Sequence, residues 1–403
     1  MSQAPSAQAE TVRLPLAGVK VIDLSHMLAG PYASWIMAAL GADVIKVEVP
    51  GRGDFTRRIA PFLDGQSIYF LSLNRNKRSV TLNLKHPEGK EAFLRLIGDA
   101  DVLLENNRAG VMARLGLDYP VVSAVNPRIV YASVSGFGQT GPYSNRPAFD
   151  AVIQAMSGTM SITGEEGRGP VRVGASIGDI AAGLFGTIGI LSALQSRQHT
   201  GRGTYVDVAM LDAQLALLEN AVARFLNAGD VPRRIGSRHP LIAPFQAFPT
   251  SNEPIVVCVD TEPQWERLCK VLDREDLLAE PLFVDGNARL ANHAMLEPIL
   301  IECFMQRGSE EWLRALEAAE VPAGPINSIP EVVADPQILA RQMICAAGGG
   351  RFVSQPIHMG FGDKSLPWPQ REAPALGADT EAVLGTLGYS EQEIARLRSN
   401  GAL

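Results

Sequence analysis

Long basic tracts are missing from this chain of 403 residues, and its formal net charge is −7. Nucleic acids and anionic membrane surfaces both select for clustered Lys and Arg, so neither is expected as a partner. A phosphate-bearing small molecule stays compatible with the charge, because a local cationic cluster can form on an acidic protein. Cysteine is sparse: Cys258, Cys269, Cys303 and Cys345 form no CxxC pair, and no His stands at ligand spacing from them. The six histidines are scattered, without an HExxH. No metal site and no disulfide framework is expected, and the free thiols point to a reducing compartment. The start carries no basic segment followed by an apolar run, so residues 1–13 read as a disordered polar tail and a cytoplasmic location is expected. The most apolar window, 180–194, falls short of the roughly 20 residues that a membrane span needs, and predicts a buried helix.

Two nucleotide signatures are absent as well. A dinucleotide site needs G-x-G-x-x-G between the first strand and helix, so that backbone can approach a pyrophosphate. Here that turn reads Ser25-His-Met-Leu-Ala-Gly-Pro31, with one Gly and a Pro. Glu48, at the end of the second strand, is placed like a ribose ligand but lacks those glycines. There is no Walker A sequence.

What the chain does have is 46% apolar and 20% charged residues over a length that suits two domains. Apolar runs at 19–24, 43–48, 80–84, 101–105 and 129–134 alternate with helical periodicity at 33–40 and 88–97. This alternation predicts an α/β, Rossmann-like large domain over 14–224, its parallel sheet covered by helices on both faces. Two long helices are expected at 180–195 and 211–226, with a turn and strand from Gly201 between them. Residues 227–244 are rich in Gly, Pro and Arg and read as a linker or mobile loop. A strand at 254–259 and helices at 265–272 and 297–305 predict a smaller α+β domain over 225–325. Residues 326–403 follow, helical again at 380–398.

One acidic residue breaks an otherwise uncharged run, Gly174-Ala-Ser-Ile-Gly-Asp-Ile-Ala-Ala-Gly-Leu-Phe-Gly186. Asp179 has two compatible readings. As an N-cap it would accept hydrogen bonds from first-turn N–H groups. As a reactive carboxylate it would be kept ionised by the helix dipole, and the same N–H groups would stabilise a neighbouring oxyanion. The small residues Gly174, Ala175, Ser176 and Gly178 would let a thioester approach.

An ordered set of segments then carries a resemblance. It runs through Leu16-Ala-Gly-Val-Lys-Val-Ile-Asp-Leu24, Leu40-Gly-Ala-Asp-Val-Ile-Lys-Val-Glu48, Asn76-Lys-Arg-Ser-Val-Thr-Leu-Asn-Leu-Lys85 and Glu105-Asn106. It continues through Ser135-Gly-Phe-Gly-Gln-Thr-Gly-Pro142, Gly178-Asp179, Thr200-Gly-Arg-Gly203, Val321-Pro-Ala-Gly-Pro-Ile-Asn327 and Leu387-Gly-Tyr-Ser390. Each is weak alone. Together, from about residue 14 to the end, they resemble the class III coenzyme A transferases, relatives of the α-methylacyl-CoA racemases.

The resemblance implies that Asp179 is the catalytic aspartate, passing through an aspartyl mixed anhydride and an aspartyl-CoA thioester. Coenzyme A and acyl-CoA are then substrates, with no permanently bound cofactor, and a carboxylic acid is the acceptor. It implies ring-shaped subunits interlocked as a homodimer, the C-terminus returning to the large domain. A racemase-like isomerase is the alternative. The segment Arg146-Pro-Ala-Phe-Asp-Ala-Val152 sets Phe149 where a racemase has its His, and a phenyl ring cannot act as a base, although a different loop path would bring His239 near. Asp150 matches an acidic position near the transferase site, and Phe137 and Gly138 lie in the active-site loop. Its other reading is a turn or cap carboxylate.

By the same resemblance, Leu28 and Ala29 line the pantetheine path, and Leu82, Asn83 and Lys85 approach the nucleotide end. Asn106, Arg108 and Arg114 stand nearby, with Arg57 and Arg58 as further cations; Lys85 and Arg114 read equally well as solvated surface charges. Formyl-CoA transferases have Gln at the Leu28 position and a Gly-rich loop over the site. This chain has instead Arg233-Arg-Ile-Gly-Ser-Arg-His-Pro240, similar to succinyl-CoA-dependent dicarboxylate transferases. That departure argues against oxalate and formate. It points to Arg238 and His239 as the group that recognises a second carboxylate, unless these side chains simply face water.

Overall fold

The computed structural model describes residues 13–361, 364–365 and 371–403. The 1–13 tail therefore lies outside the described residues, apart from Arg13. Two compact units divide the chain: 1–159, 172–228 and 339–403 form the first, 160–171 and 229–338 the second. The main segment of the second unit, 229–338, thus begins and ends later than 225–325, and the unit also takes in 160–171, which periodicity alone leaves with the large domain.

In the first unit six strands make one sheet: β1 (Lys20–Asp23), β2 (Asp43–Glu48), β3 (Arg78–Thr81), β4 (Val102–Glu105), β5 (Val130–Ser135) and β6 (Tyr205–Ala209). Their order is β3-β2-β1-β4-β5-β6, and every neighbouring pair is parallel. Both faces are covered, which is why strands such as β2 read as almost unbroken apolar runs. On one face Val21, Val44 and Val102 pack with α1 (Ala29–Ala39); on the other Ile22, Ile45 and Leu103 pack with helix Pro87–Gly98 and the C-terminal Val383 and Ile394. The strand order reverses between β1 and β4. In open α/β sheets ligands bind in the crevice at the carboxyl ends of the strands beside such a reversal.

Five more helices of this unit position the site: α2 (Ile68–Asn74), α3 (Asp150–Met156), α4 (Ile177–Thr200), α5 (Met210–Leu217) and α6 (Glu219–Ala228). The helix expected over 211–226 is therefore two, separated at Leu218. The helix expected over 180–195 is longer at both ends. With 24 residues and an 18-residue window of mean hydropathy 1.7, α4 is long and apolar enough to cross a membrane, contrary to the shorter window read from sequence. A core helix meets the same test, and half of that apolar window is buried in the protein. Gly183 lets α1 lie against α4: a Cβ there would stand 2.8 Å from Ala29 O.

The second unit holds a three-stranded antiparallel sheet with Ile255–Cys258 between Ala323–Pro325 and Phe245–Phe248. Trp265, Phe304 and Trp312 fill its core. The stretch read as a linker is tied down within this unit. Arg234 Nη1 donates to Ser161 O at 3.1 Å, and Gly236 N–H to Gly164 O at 3.0 Å.

Candidate active site

Asp179 is the third residue of α4, not its cap; Ser176 holds the N-cap position, without a side-chain capping bond. Its carboxylate is half-buried and accepts a hydrogen bond from the Ala29 N–H, the first residue of α1. Two helix N-termini therefore converge on it. Burial nevertheless pushes Asp179 up, the Asp150 carboxylate pushes it further, and the Ala29 bond offsets only part, so its pKa stands at about 7. The helix dipole by itself would keep it ionised; desolvation and a second carboxylate outweigh that effect.

Asp150 opens α3 and is buried. Its Oδ1 accepts the Gly178 N–H at 2.8 Å, and its Oδ2 accepts Gln154 Nε2 at 2.7 Å. Arg172 Nη2 stands 3.9 Å from that Oδ2. Phe149, the N-cap of α3, is 70% exposed. Phe137 packs edge-on to Tyr143 with ring centroids 5.8 Å apart, and Gly138, at φ +81°, is buried beside Ala209. Tyr69 of α2 was not legible in the sequence. Burial raises its phenol to about 12, and Asp179, Asp54 and Asp150 raise it in the same direction. It is a protonated donor in the field of the carboxylate pair.

A cavity of about 520 Å³ opens at the crevice beyond β1, β2 and β3. That size falls within the roughly 300–1,000 Å³ of small-molecule sites. Leu82, Asn83 and Lys85 line it, as do His26, Arg52 and Arg58. Its floor is charged but closed. Lys46 and Asp54 pair at 2.9 Å with both side chains buried, and Lys46 Nζ donates to Ser25 O at 2.7 Å. Arg57 is engaged by Glu48 through two bonds of 2.7 Å, so Glu48 is not open to a ribose. Arg52, Arg58 and Lys85 have no carboxylate partner among the described residues. The Gly51-Arg-Gly-Asp54 turn was the one sequence signal for Arg52.

Leu28 is the N-cap of α1, which puts it and Ala29 next to Asp179. Asn106 clasps the backbone of His26, accepting from its N–H at 2.9 Å and donating to its carbonyl at 2.7 Å. It braces the cavity rim and does not line it. Arg108 and Arg114 are exposed and also stand outside the cavity lining. Arg238 and His239 belong to the second unit. Arg238 donates to Glu166 at 2.8 Å and to Ile235 O at 3.1 Å, and His239 Nδ1 accepts the Leu241 N–H at 3.2 Å.

The family model for CoA-transferase family III matches residues 16–380. The chain belongs to CoA-transferase family III. It is an enzyme of the transferase class, and coenzyme A thioesters are substrates of such transferases. Among its relatives, the acetyl-CoA:oxalate CoA-transferase of Acetobacter aceti is 42% identical over 92% of this chain and 95% of that protein. Human succinyl-CoA:glutarate CoA-transferase is 37% identical over 96% of this chain and 90% of its own. A solved CAIB/BAIF family protein from Brucella suis matches with a TM-score of 0.82 at 38% identity, over 93% of this transferase and 99% of that chain.

Proposed function

We propose that this family III transferase moves coenzyme A from an acyl-CoA, succinyl-CoA by preference, to a dicarboxylic acid through a covalent bond at Asp179. The observation that carries the proposal is the Asp179 carboxylate, raised to about 7 beside Asp150 and the N-terminus of α1. A carboxylate of that basicity is a stronger nucleophile than a solvated one, and about half of it is ionised at neutral pH. It attacks the thioester carbonyl of the donor, forming an aspartyl anhydride and releasing CoA thiolate. The thiolate attacks the aspartyl carbonyl, expels the donor's carboxylate and leaves aspartyl-CoA. The acceptor carboxylate attacks the aspartyl-CoA carbonyl, forming a second anhydride and releasing the thiolate, which then attacks the acceptor's carbonyl to give the new acyl-CoA and free Asp179. Thioester energy is retained throughout, so the scheme requires neither ATP nor metal nor a resident cofactor.

The cavity with Arg52, Arg58 and Lys85 is the site proposed for the nucleotide end of CoA, and Leu28 and Ala29 for its pantetheine arm. Arg238 is proposed to take the distal carboxylate of the acceptor, which would displace Glu166 from the guanidinium. Relatives named for oxalate and for glutarate share a dicarboxylic acceptor, so oxalate rejoins the candidates despite Leu28 and the missing Gly-rich loop. Phe149 supplies no base, which sets this reading above the racemase-like one. Leu184, Phe185 and Ile188 on α4 and Phe225 and Leu226 on α6 are exposed, an apolar surface suited to a second copy. The interlocked homodimer is proposed to cover it, in the cytoplasm.

The experiment is a panel of mono- and dicarboxylates assayed for CoA exchange from succinyl-CoA, with Asp179→Asn in parallel. Exchange onto dicarboxylates, lost in Asp179→Asn, supports the scheme. Equal turnover by the variant would overturn it.

A further inference from the structure

Gln214 lies on α5 with no exposed surface. Its Oε1 accepts from Ser157 Oγ at 2.6 Å and Thr159 Oγ1 at 2.9 Å. Its Nε2 is buried with no hydrogen-bond acceptor among the described residues. That free donor faces the first turn of α4. A Cβ added at Gly178 would overlap Gln214 Nε2 and stand 3.1 Å from Asp150 Oδ1. Glycine at 178 is therefore what lets the amide reach this turn, and the amide N–H and the Asp150 carboxylate border the same small gap. The amide orientation is fixed from both sides. Reversing it would turn a carbonyl oxygen toward the Asp150 carboxylate.

A buried donor without an acceptor carries a desolvation penalty, and natural folds seldom keep one without a use for it. We propose that Gln214 is a positioning residue for the Asp150–Asp179 pair: its uncommitted amide N–H, admitted by Gly178, turns its positive end to the gap beside the Asp150 carboxylate and favours that side chain as the negative charge opposite Asp179. This rests on the covalent role given to Asp179 above. The positive end of the amide dipole stabilises negative charge across the gap, adding to the Gly178 N–H and Gln154 bonds that Asp150 already accepts. Fixing that charge keeps Asp179 basic, which suits a nucleophile working near neutral pH. The other groups facing the pair are Arg172, near Asp150, and Tyr69 from α2. No charged residue lies on α1, and Asp212, the one acid on α5, is exposed.

The test compares Gln214→Met, which deletes the donor, with Gln214→Glu, which keeps an acceptor for Ser157 and Thr159 but adds a carboxylate. Asp179 protonation is read without turnover, by mass spectrometry of carbodiimide-driven amine labelling of its peptide from pH 5 to 8.5. The midpoint is expected to move down by roughly half a unit to one unit in Gln214→Met and up by a similar amount in Gln214→Glu. In the transfer assay kcat falls in Gln214→Met while KM for the donor stays within about twofold. Unmoved midpoints, or shifts of the same sign in both variants, would overturn the proposal. If Gln214→Met does not fold, the Gln214→Glu shift decides alone: upward supports the proposal and its absence refutes it. A parent enzyme that titrates as expected but transfers no CoA would refute the proposed function instead.

Discussion

Asp150 Oδ1 accepts the N–H of Gly178, the residue immediately before Asp179, at 2.8 Å. One backbone hydrogen bond thus fixes the two carboxylates next to each other, and the charge on Asp150 raises Asp179 after burial has already done so. The acid limb of kcat/KM should therefore fall near pH 7. Asp150→Asn keeps an oxygen for the Gly178 N–H but removes the charge, so the limb should move down by about one unit, with a lower plateau rate. A pH profile of the variant in the transfer assay checks this; an unmoved limb contradicts it.

Stability should respond in the opposite sense to activity. Between the ordinary carboxylate value of 3.8 and about 7 the folded chain binds more protons than the unfolded one. The contribution of Asp179 to stability therefore falls as pH rises through that window. Asp179→Asn should be more stable than the parent at pH 8.5, by about 1–2 kcal/mol after solvent screening, and no more stable at pH 4. Thermal melts of both proteins at the two pH values measure the difference.

Beneath α1, Lys77 donates to Asp23 at 3.1 Å with both side chains fully buried, and also to Ser34 Oγ at 2.8 Å and Asn74 Oδ1 at 2.9 Å. Removing one member leaves an uncompensated buried charge. Lys77→Met should lower unfolding free energy by about 3–5 kcal/mol, read from a urea titration. The double variant with Asp23→Leu should recover part of that loss.

In the second unit Arg238 already holds a carboxylate, that of Glu166. If the acceptor replaces it, Arg238→Ala should raise KM for a dicarboxylate roughly tenfold, the equivalent of about 1.4 kcal/mol, with little change in KM for the CoA donor. Glu166→Gln should lower the dicarboxylate KM by removing the competitor. Steady-state kinetics with both substrates varied separates these outcomes.

Local signals located most of the sheet. β2 occupies 43–48 as its apolar run indicated, and the alternation already visible in the chain gives the parallel sheet, whereas the strand order and its switch between β1 and β4 come from the structure. The site was only partly legible. Asp179 stands out because it is the one charge in an apolar run, but the helix begins at Ile177, three residues before the apolar periodicity indicates, so of its two sequence readings the N-cap one does not hold. Its raised basicity was invisible, since it depends on Asp150, nearly thirty positions away, and on burial that periodicity does not report. Tyr69 and Gln214 were not legible for the same reason: nothing in the sequences around them says that Tyr69 lies in the field of Asp179 or that α5 packs on α4. Arg57 and Arg58 looked equivalent as neighbours, yet Glu48 engages the first and leaves the second to the cavity.

The central claim is that Asp179 bonds covalently to an acyl group. Incubation with succinyl-CoA, rapid quench and tandem mass spectrometry of the peptide carrying Asp179 test it most directly. The account predicts a succinyl or CoA adduct on that side chain in the parent and none in Asp179→Asn. Full transfer activity with Asp179 unmodified at every time point, or undiminished activity in the variant, would contradict it.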